Sequence, residues 1–384
     1  MARIRSVEVL RATIPRRAPF EISRGTFIAA RRVFVRLTLD DGAVGYGECG
    51  TLEGDGAKGR VAVYSEETQD GSHAVLTTQI GPALGGLDAY NIADIHRVIG
   101  EATLMNPQAR AAVDIALHDA VGRSLGVPAH VLLGGAYRDR IPLAQSVGVR
   151  TDDEVVEGAR RVVAAGYRVV KLKGGRDIRE DVRRIGLIRR AVGDGVAIRL
   201  DANAGYRAYD EVILHLARAQ DAGLDELEQP LGRFDLQGMQ RLAADLLTPV
   251  IADESMFFAH DAVELIRRNG ADVLNIKVQK AGGLLPAIRI DHIASAAKVG
   301  VLVGAVQETG IGTAASLQLA AACRDIGYAS DCRTHLVFEH SLLREPLDVR
   351  DGEIRVPQGP GLGVEVDVAA LERYADGPWT TVTR

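Results

Sequence analysis

The strongest constraint on this sequence is a strand-and-helix rhythm in its second part, where short β-branched runs alternate with amphipathic segments. Charged residues close five successive runs at separations of 28, 27, 25 and 24 positions: Lys173, Asp201, Glu228, Asp253 and Lys277. Each separation fits one strand, one helix and two short loops, and a repeat of this unit closes a parallel α/β barrel. A doubly wound open sheet shows a similar alternation, but charged strand ends are typical of the carboxyl rim of a barrel. We place the eight strand ends at SVGV, VVKLK, IRLDAN, ELEQP, VIADE, VLNIKV, VLVGAV and IGYASD.

The composition favours an ordinary globular protein that acts on small molecules. Of the 384 residues 47% are hydrophobic and 25% are charged, which is enough for a large core. The 46 basic and 51 acidic residues give a net charge of −5 without a long basic run, which disfavours a nucleic acid or an anionic membrane as partner. Three cysteines without a Cys-x-x-Cys pair disfavour a disulfide framework and a structural zinc site. We expect a cytoplasmic protein, since neither a signal peptide nor a membrane span is indicated.

The amino-terminal part reads as a separate cap. Two alternating runs, IRSVEVLRAT and RRVFVRLTLD, predict strands, and a turn at Asp40 to Gly42 leads into a third. The segment from Gly50 to Gly71 is rich in Gly, Asp and Glu, which predicts a long mobile loop rather than a packed element. An apolar stripe from Ala109 predicts a helix that Gly126 ends.

The chain is therefore expected to divide into three segments. Residues 1–136 form an α+β capping domain, residues 137–341 form the catalytic β/α barrel, and residues 342–384 form a carboxyl-terminal segment. This last segment has turn residues and short strands, and we expect it to pack back onto the cap.

Three acidic residues point to a metal site. Asp201, Glu228 and Asp253 end the third, fourth and fifth barrel strands, which lie about 4.8 Å apart, so their carboxylates can converge on one hard cation. Oxygen ligands without Cys or His favour Mg²⁺ over zinc, with Mn²⁺ as a substitute. The alternative interpretation is that each acid caps a following helix or pairs with an arginine.

Lysines supply the predicted acid/base chemistry. Lys171 and Lys173 share one face of the second strand and point to the barrel axis, and their mutual repulsion, together with a nearby divalent cation, is expected to make one of them a neutral base. Lys277 ends the sixth strand, which lies across the barrel mouth from the second. Lys280 lacks the inward parity of Lys277 and is expected in the following loop. The alternative for the first pair is two surface lysines with extended side chains.

Together these groups suit the removal of a proton α to a carboxylate, with a cation to stabilise the resulting enediolate. Return of a proton to the opposite face gives racemisation, loss of a β-substituent gives elimination, and reversal of an addition gives cycloisomerisation. The residues leave these outcomes open. A Schiff-base aldolase that uses Lys277, or a non-catalytic binding protein on the same scaffold, are alternatives of other classes.

The sequence resembles the enolase superfamily, in the muconate lactonizing enzyme subgroup of the mandelate racemase/muconate lactonizing enzyme family. The resemblance spans almost the whole chain. The motifs that carry it are ARAAVDIALHDAVGRSLGVPAHVLLGG, VVKLKGG, RLDANAGY, ELEQPL, IADES, NIKVQKAGG, ETGIGTAAS and VPQGPGLGVEVD.

The resemblance implies a modified TIM barrel, (β/α)7β, with an α+β cap built from the amino-terminal region and the carboxyl-terminal tail. It implies Mg²⁺ on the three acids, Lys173 and Lys277 as the acid/base pair, and Lys171 as an assistant of Lys173. It further implies homo-oligomers, from dimer to octamer, and substrate selection by cap loops at residues 16–26 and 51–64. Additional site residues are implied beside the metal ligands and facing a small carboxylate substrate: Asn203, Glu254 and Glu308.

One departure bears on the substrate. Dipeptide epimerases of the subgroup usually carry Asp-x-Asp after the eighth strand to hold an α-ammonium group, whereas this sequence has Asp331, Cys332 and Arg333. A free amino group is therefore disfavoured. With Asp331 beside it, Arg333 is a candidate ligand for a second substrate carboxylate, because guanidinium binds carboxylate in a bidentate fork. The alternative is a salt bridge from Arg333 to Asp331 or Glu339.

Three further polar residues receive no catalytic role. Glu226 shares inward parity with Glu228, but relatives often have an aromatic residue there and the sequence offers no account of it. His335 and His340 follow the last strand and are interpreted as structural. The leading hypothesis is a Mg²⁺-dependent cycloisomerase of a muconate-like diacid, ahead of a racemase of an N-substituted amino acid and a dehydratase of a hydroxy acid.

Overall fold

A computed structural model gives the architecture for residues 2–22, 25–51, 53–55, 61–63, 67–148, 151–207 and 209–383. The strands are β1 (Ile4–Ile22), β2 (Gly25–Leu39), β3 (Val44–Cys49), β4 (Glu53–Asp55), β5 (Val61–Val63), β6 (Arg140–Pro142), β7 (Ala144–Val147), β8 (Val169–Lys173), β9 (Ala197–Asp201), β10 (Glu226–Glu228), β11 (Val250–Ala252), β12 (Val273–Ile276), β13 (Gly300–Val303), β14 (Val349–Arg350), β15 (Glu353–Arg355) and β16 (Thr380–Thr383). The helices are α1 (Gln69–Val75), α2 (Ile92–Ala102), α3 (Pro107–Leu125), α4 (Ala129–Leu132), α5 (Asp152–Ala164), α6 (Ile178–Val192), α7 (Tyr209–Asp221), α8 (Leu236–Asp245), α9 (Ala259–Arg268), α10 (Val278–Ala281), α11 (Leu284–Ala297), α12 (Gly310–Ala322) and α13 (Val368–Arg373). A π-helical turn spans Leu76–Ile80, and 3-10 turns span Gly81–Ala83 and Thr334–Val337.

Seven parallel strands, β7 to β13, pair in chain order and form the predicted barrel wall. The eighth predicted strand, IGYASD, is held by single bridges: Ile326 pairs with Val301 on one side and Ser330 pairs with Leu143 on the other. Helices follow each of the seven paired strands, whereas the eighth segment leads into the 3-10 turn at residues 334–337. The (β/α)7β barrel is therefore confirmed.

The register of the barrel strands sets the height of the polar side chains. Lys173 of β8 pairs with Asp201 of β9, and Asp201 pairs with Glu228 of β10. Alternate residues of the same strands, such as Leu172 and Leu200, are fully buried in the apolar core. Because side chains alternate between the two faces of a strand, the charged residues point to the barrel axis at one level.

The cap is built as the sequence predicts. Strands β1, β2 and β3 form an antiparallel sheet, with the turn at residues 40–43 between β2 and β3. Helix α3 packs on this sheet and ends at Gly126, whose φ of 70° is the left-handed value that glycine adopts readily. Both predictions are confirmed.

The segment from Gly50 to Gly71 contains more regular structure than the loop prediction allowed. Within its described part, β4 pairs with β5 and with Thr26 of β2, and helix α1 begins at Gln69. This prediction was therefore wrong for these residues, because backbone pairing to the β2 edge outweighs a composition rich in turn formers. Residues 52, 56–60 and 64–66 of the predicted loop lie outside the described residues, as do residues 23–24 of the other predicted selectivity loop.

The carboxyl-terminal segment joins two sheets. Strand β16 pairs antiparallel with β1 of the cap, whereas β14 and β15 form a small sheet with β6, just before the barrel. No helix in the described part of the chain combines the length and the apolar character needed to span a membrane.

Buried acids of the cap fasten it to the barrel helices. Glu48 of β3 accepts hydrogen bonds from the backbone N–H groups of Thr309 and Gly312 at the start of α12, at 2.9 Å each. Asp114 of α3 accepts a bond of 2.5 Å from the backbone N–H of Leu284, the first residue of α11. Helix N-termini carry unpaired N–H groups and partial positive charge, so they favour carboxylates. In a parallel barrel these N-termini lie at the carboxyl ends of the strands, so the cap covers the mouth.

We expect Gly47→Ala to destabilise the cap. A Cβ at residue 47 would lie 1.8 Å from the carbonyl oxygen of Ala112 in α3, so the helix must move away from the sheet. The expected loss is at least about 2 kcal/mol in the free energy of unfolding, measured by urea denaturation. The control is Gly100→Ala in α2, where an added Cβ has no neighbour within 4 Å. That variant should be more stable by about 0.5–1 kcal/mol, and equal effects of both changes would contradict the packing argument.

Candidate active site at the barrel mouth

The ammonium group of Lys171 is the centre of the site. Its Nζ lies 3.0 Å from Oδ2 of Asp201, 2.8 Å from Oε2 of Glu228 and 2.8 Å from Oδ2 of Asp331. The residue is almost completely buried. These contacts bring two of the three predicted metal ligands and the predicted substrate residue Asp331 onto one cation.

Lys173 and the two predicted neighbours of the metal ligands form the next contacts. Nζ of Lys173 donates to Oδ2 of Asp201 at 2.6 Å and to Oδ1 of Asn203 at 3.1 Å. The amide of Asn203 in turn donates to Oε1 of Glu254 at 3.2 Å. Asn203 has a φ of 45°, in the left-handed region, which asparagine tolerates better than most residues. The side chain of Lys173 is 18% exposed, compared with 5% for Lys171.

Two lysines hold the third acid. Nζ of Lys277 donates to Oδ2 of Asp253 at 2.7 Å, and Nζ of Lys280 lies 2.5 Å from Oδ1 of the same carboxylate. The expectation that Lys280 lies in a loop away from the site was wrong. Strand β12 ends before Lys277 and the one-turn helix α10 follows, so a residue three positions later returns to the same side. Strands β8 and β12 are four steps apart in the sheet, which places Lys173 and Lys277 on opposing walls.

Glu228 is contacted from three directions. Its Oε1 accepts hydrogen bonds from Lys171 and from the amide of Asn275, at 3.0 Å each. Its Oε2 is buried without a hydrogen bond, although Lys171 lies within ion-pair distance. Below it, Arg199 is fully buried and pairs with Glu226 at 2.5 Å, which supplies the account of Glu226 that the sequence lacks.

The protonation of the acids follows from these contacts. Burial would raise the pKa of Asp201, but Lys171 and Lys173 hold it well below its usual range. Burial likewise acts against Asp253, whose pKa Lys277 and Lys280 hold far down. At Glu254, burial together with Asp253 and Asp201 outweighs Lys277 and Lys280 and raises the pKa to about 7. Burial and Asp201 also raise the pKa of Glu228.

The pKa shifts of three buried lysines depend on burial and on the surrounding carboxylates. Burial disfavours the charge of Lys171, yet Asp201, Asp331 and Glu228 raise its pKa well above the usual value. Burial acts against Lys277 as well, and Asp253 and Glu254 more than offset it, so its pKa is also raised. Only Lys280 shifts downward among these three, since burial lowers its pKa to about 8. The surrounding carboxylates therefore favour the charged form of Lys171 and Lys277, and the neutral base expected beside a divalent cation stays a prediction.

The chemistry of the acids fits a hard divalent cation. In the described part of the chain no three acidic, His or Cys side chains already stand as a ligand shell. Lys171 lies between Asp201 and Glu228, however, so a position within 3.0 Å of both carboxylates already holds a cation. Asp253 is close enough to act on the pKa of Asp201, and the donors are all oxygens. Oε2 of Glu228 accepts no hydrogen bond, and the Lys171 ammonium group lies 2.8 Å from it.

Two predicted substrate residues lie apart from this cluster. Glu308 is buried beneath the cap, where its carboxylate accepts hydrogen bonds from the backbone N–H of Val306 at 2.8 Å and from the hydroxyl of Thr334 at 3.3 Å. The side chain of Arg333 lies over the ring of Tyr167, at 5.5 Å from the ring centre. It lines a cavity of about 400 Å³ between β7 and α5. No ion pair from Arg333 to Asp331 or Glu339 occurs among the described residues. The role of Arg333 as a substrate ligand stays a prediction.

Three residues of the cluster were not predicted as site residues from the sequence: Arg199, Asn275 and Lys280. The first two share the inward parity of Asp201 and Lys277, so strand alternation could have found them. Lys280 follows Lys277 by three residues, so a helix that begins after β12 would place both lysines on the same side. His335 is buried and His340 accepts a hydrogen bond from the backbone of Leu342 at 3.0 Å, in keeping with structural roles.

Known proteins resemble this chain over nearly its full length. Residues 4–134 match the family model described as mandelate racemase / muconate lactonizing enzyme, N-terminal domain, and residues 154–370 match that described as enolase C-terminal domain-like. Muconate cycloisomerase 1 of Rhodococcus opacus is 34% identical over 375 residues, or 96% of this chain and 97% of that enzyme. L-Ala-D/L-Glu epimerase of Bacillus subtilis (strain 168) is 33% identical over 361 residues, or 93% and 95%. The crystal structure of muconate lactonizing enzyme from Pseudomonas fluorescens complexed with muconolactone superposes with a TM-score of 0.91 at 30% identity, over 97% of this chain and 99% of that chain.

We expect Lys171→Met to destabilise the protein more at pH 8 than at pH 5. Without the ammonium group, burial should raise the native pKa of Glu228 further above its unfolded value, while Asp201 keeps only Lys173 and Asp331 keeps only Arg199 among the nearest cations. Acids with raised native pKa values lose stability as the pH rises from their unfolded pKa, about 4, through the native one. The loss should reach about 3–5 kcal/mol at pH 8, measured by urea denaturation at both pH values. Lys298→Met, at an exposed position, is the control and should change stability by less than about 0.5 kcal/mol. A loss independent of pH would show that the ammonium group does not set the protonation of these acids.

Proposed function

This chain belongs to the mandelate racemase / muconate lactonizing enzyme family of the enolase superfamily, and we propose that it removes a proton α to the carboxylate of a small organic acid in a metal-dependent isomerisation. The chain is an isomerase of this superfamily, since its relatives are cycloisomerases and epimerases. One observation carries the proposed chemistry. Lys173 and Lys277 approach the buried acid cluster from opposing barrel walls, one through Asp201 and the other through Asp253.

In this proposal Asp201, Glu228 and Asp253 hold Mg²⁺, for which Mn²⁺ can substitute. A bound cation would supply Lewis acidity to the substrate carboxylate. Lys173 and Lys277 then lie on either side of the substrate carbon. One takes the α-proton to give an enediolate, and the other is positioned to deliver or withdraw a proton on the opposite face.

Lys171 has a different role from Lys173. It is almost fully buried, contacts three carboxylates and has a raised pKa, so it stays charged and orients Asp201 and Glu228. Lys173 is more exposed and contacts one carboxylate, which suits it for proton transfer. Asn203 accepts a hydrogen bond from Lys173 and itself donates one to Glu254.

The proposed reaction is cycloisomerisation of a muconate-like diacid. The charge of Asp331 is taken up by Lys171, and Arg333 stands where a second acid would be needed for an α-ammonium group. A substrate with a free amino group therefore lacks a pair of acids to bind it. One of the two relatives described above is a muconate cycloisomerase, and the superposed structure holds muconolactone.

Racemisation of an N-substituted amino acid is the second candidate. Lysines on opposing walls are the arrangement that a two-base proton exchange at one carbon requires, and a relative of this chain is an epimerase. Screening muconates, N-acyl amino acids and hydroxy acids with Mg²⁺ separates these reactions from each other and from dehydration.

We further propose that residues 1–136 form the cap, residues 137–341 form the barrel and residues 342–384 form a carboxyl-terminal segment. We also propose that the protein is a cytoplasmic homo-oligomer that acts on a small carboxylate.

The first test follows solvent deuterium. In D₂O with Mg²⁺ and a substrate that is turned over, the wild type should place deuterium at the α-carbon. Lys173→Ala and Lys277→Ala should each reduce incorporation by roughly 100-fold or more, measured by proton NMR, because each removes one acid/base group. Lys298→Ala is the matched control and should behave as the wild type. Incorporation that continues without a divalent cation would contradict the proposal.

The second test concerns the cation. Glu228→Gln preserves shape but removes one negative ligand, so the affinity for Mg²⁺ measured by isothermal titration calorimetry should fall by at least about 10-fold. Glu264→Gln, on the exposed side of α9, should leave the affinity unchanged. Equal affinities of both variants would exclude Glu228 as a ligand.

A further inference from the structure

A buried ion pair lies one layer below the proposed metal ligands. Arg199 of β9 and Glu226 of β10 sit two residues before Asp201 and Glu228, on the same inward faces of their strands. Nε of Arg199 donates to Oε2 of Glu226 at 2.5 Å, and Nη2 donates to the carbonyl of Ala329 at 2.9 Å. These two bonds fix the guanidinium plane, since its donors form a rigid planar fork.

The third nitrogen of Arg199 makes no hydrogen bond. Nη1 is buried and lies 3.8 Å from Oε2 of Glu228, which also accepts no hydrogen bond and has the Lys171 ammonium group at 2.8 Å as its near ion-pair partner. A guanidinium group and a carboxylate in a buried site would ordinarily close to a bidentate pair with N–O distances of about 2.8 Å. Here the pair stays open, because Glu226 and Ala329 hold Arg199 by its other donors.

We propose that Glu226 is a positioning residue, which holds Arg199 away from Glu228 and so keeps Glu228 available to a divalent cation. The inference rests on the proposed function, because it concerns a ligand of the proposed metal site. Glu226 contacts neither substrate nor metal in this account and acts through Arg199. Without it, Arg199 closes onto Oε2 of Glu228 and competes with the metal for this carboxylate.

Three variants should differ in Mg²⁺ affinity in an order that a simple loss of packing would not produce. Glu226→Gln frees Arg199, so Mg²⁺ binding should weaken roughly 10- to 100-fold. Adding Arg199→Gln to this variant removes the competitor, and the affinity should return to within about threefold of the wild type. Arg199→Gln alone should bind Mg²⁺ at least as tightly as the wild type.

Isothermal titration of the purified full-length protein with MgCl₂ measures all three, with circular dichroism as a check of folding. Glu8→Gln is the matched control, because Glu8 forms an Arg–Glu pair with Arg36 at 2.7 Å in the cap. It should leave Mg²⁺ affinity unchanged. If Glu226→Gln does not fold, Arg199→Gln decides, since weaker binding in that variant would overturn the proposal.

The outcomes separate this inference from the proposed function. A wild type that binds no Mg²⁺ overturns both. A wild type that binds Mg²⁺, with an unchanged Glu226→Gln variant, overturns the positioning role alone. If the double variant binds Mg²⁺ as weakly as Glu226→Gln does, the Arg199–Glu226 pair is only structural. That result also overturns the positioning role.

Discussion

The site depends on the burial of one ammonium group among three carboxylates. Lys171 contacts Asp201, Glu228 and Asp331 within 3.0 Å in a region closed to solvent. Charges are stable inside a barrel only if they are paired, so each of these groups requires the others. The lysine acts to lower the pKa of two proposed metal ligands, and the acids keep the lysine charged. This mutual dependence explains how an enzyme interior can hold so many ionisable groups at the level where its strands end.

The cap extends the same principle to the contact between its sheet and the barrel. Glu48 and Asp114 place carboxylates on the N-termini of α12 and α11, and Arg32, fully buried, lies 3.3 Å from Glu48. The nitrogen Nη2 of Arg32 also donates to the carbonyl of Gln307 at 2.6 Å, in the loop that follows β13. The loops at the barrel mouth are thus held by cap residues. The cap therefore contributes to the geometry of the mouth as well as covering it.

Strand alternation made the barrel side of this site predictable, and its limits explain the errors. Parity along β8, β9 and β10 places Lys171, Asp201 and Glu228 on the axis, and the regular spacing places the strands in order. The same parity fails at Lys280, because the chain has left β12 and turned into a helix. It also says nothing about Arg333, which lies in a turn after the eighth strand segment and places its side chain over Tyr167. The pKa of Lys171 could not be inferred from a neighbouring lysine, since the three acids that raise it come from other strands.

Charge balance links metal binding to the appearance of a base. In the buried cluster at the barrel mouth the cations are Lys171, Lys173, Lys277, Lys280 and Arg199, and the acids are Asp201, Glu226, Glu228, Asp253, Glu254 and Asp331. With the pKa of Glu254 near 7, these groups nearly cancel at neutral pH. A divalent cation adds two positive charges to this balance, and a buried site restores neutrality by releasing protons. Glu254, with a pKa of about 7, can release its proton, and Lys280, with a pKa of about 8, can release the next, whereas arginine cannot. The proposed cation therefore favours a neutral lysine in the cluster, and the acids proposed to bind it are the same acids that otherwise keep the lysines protonated.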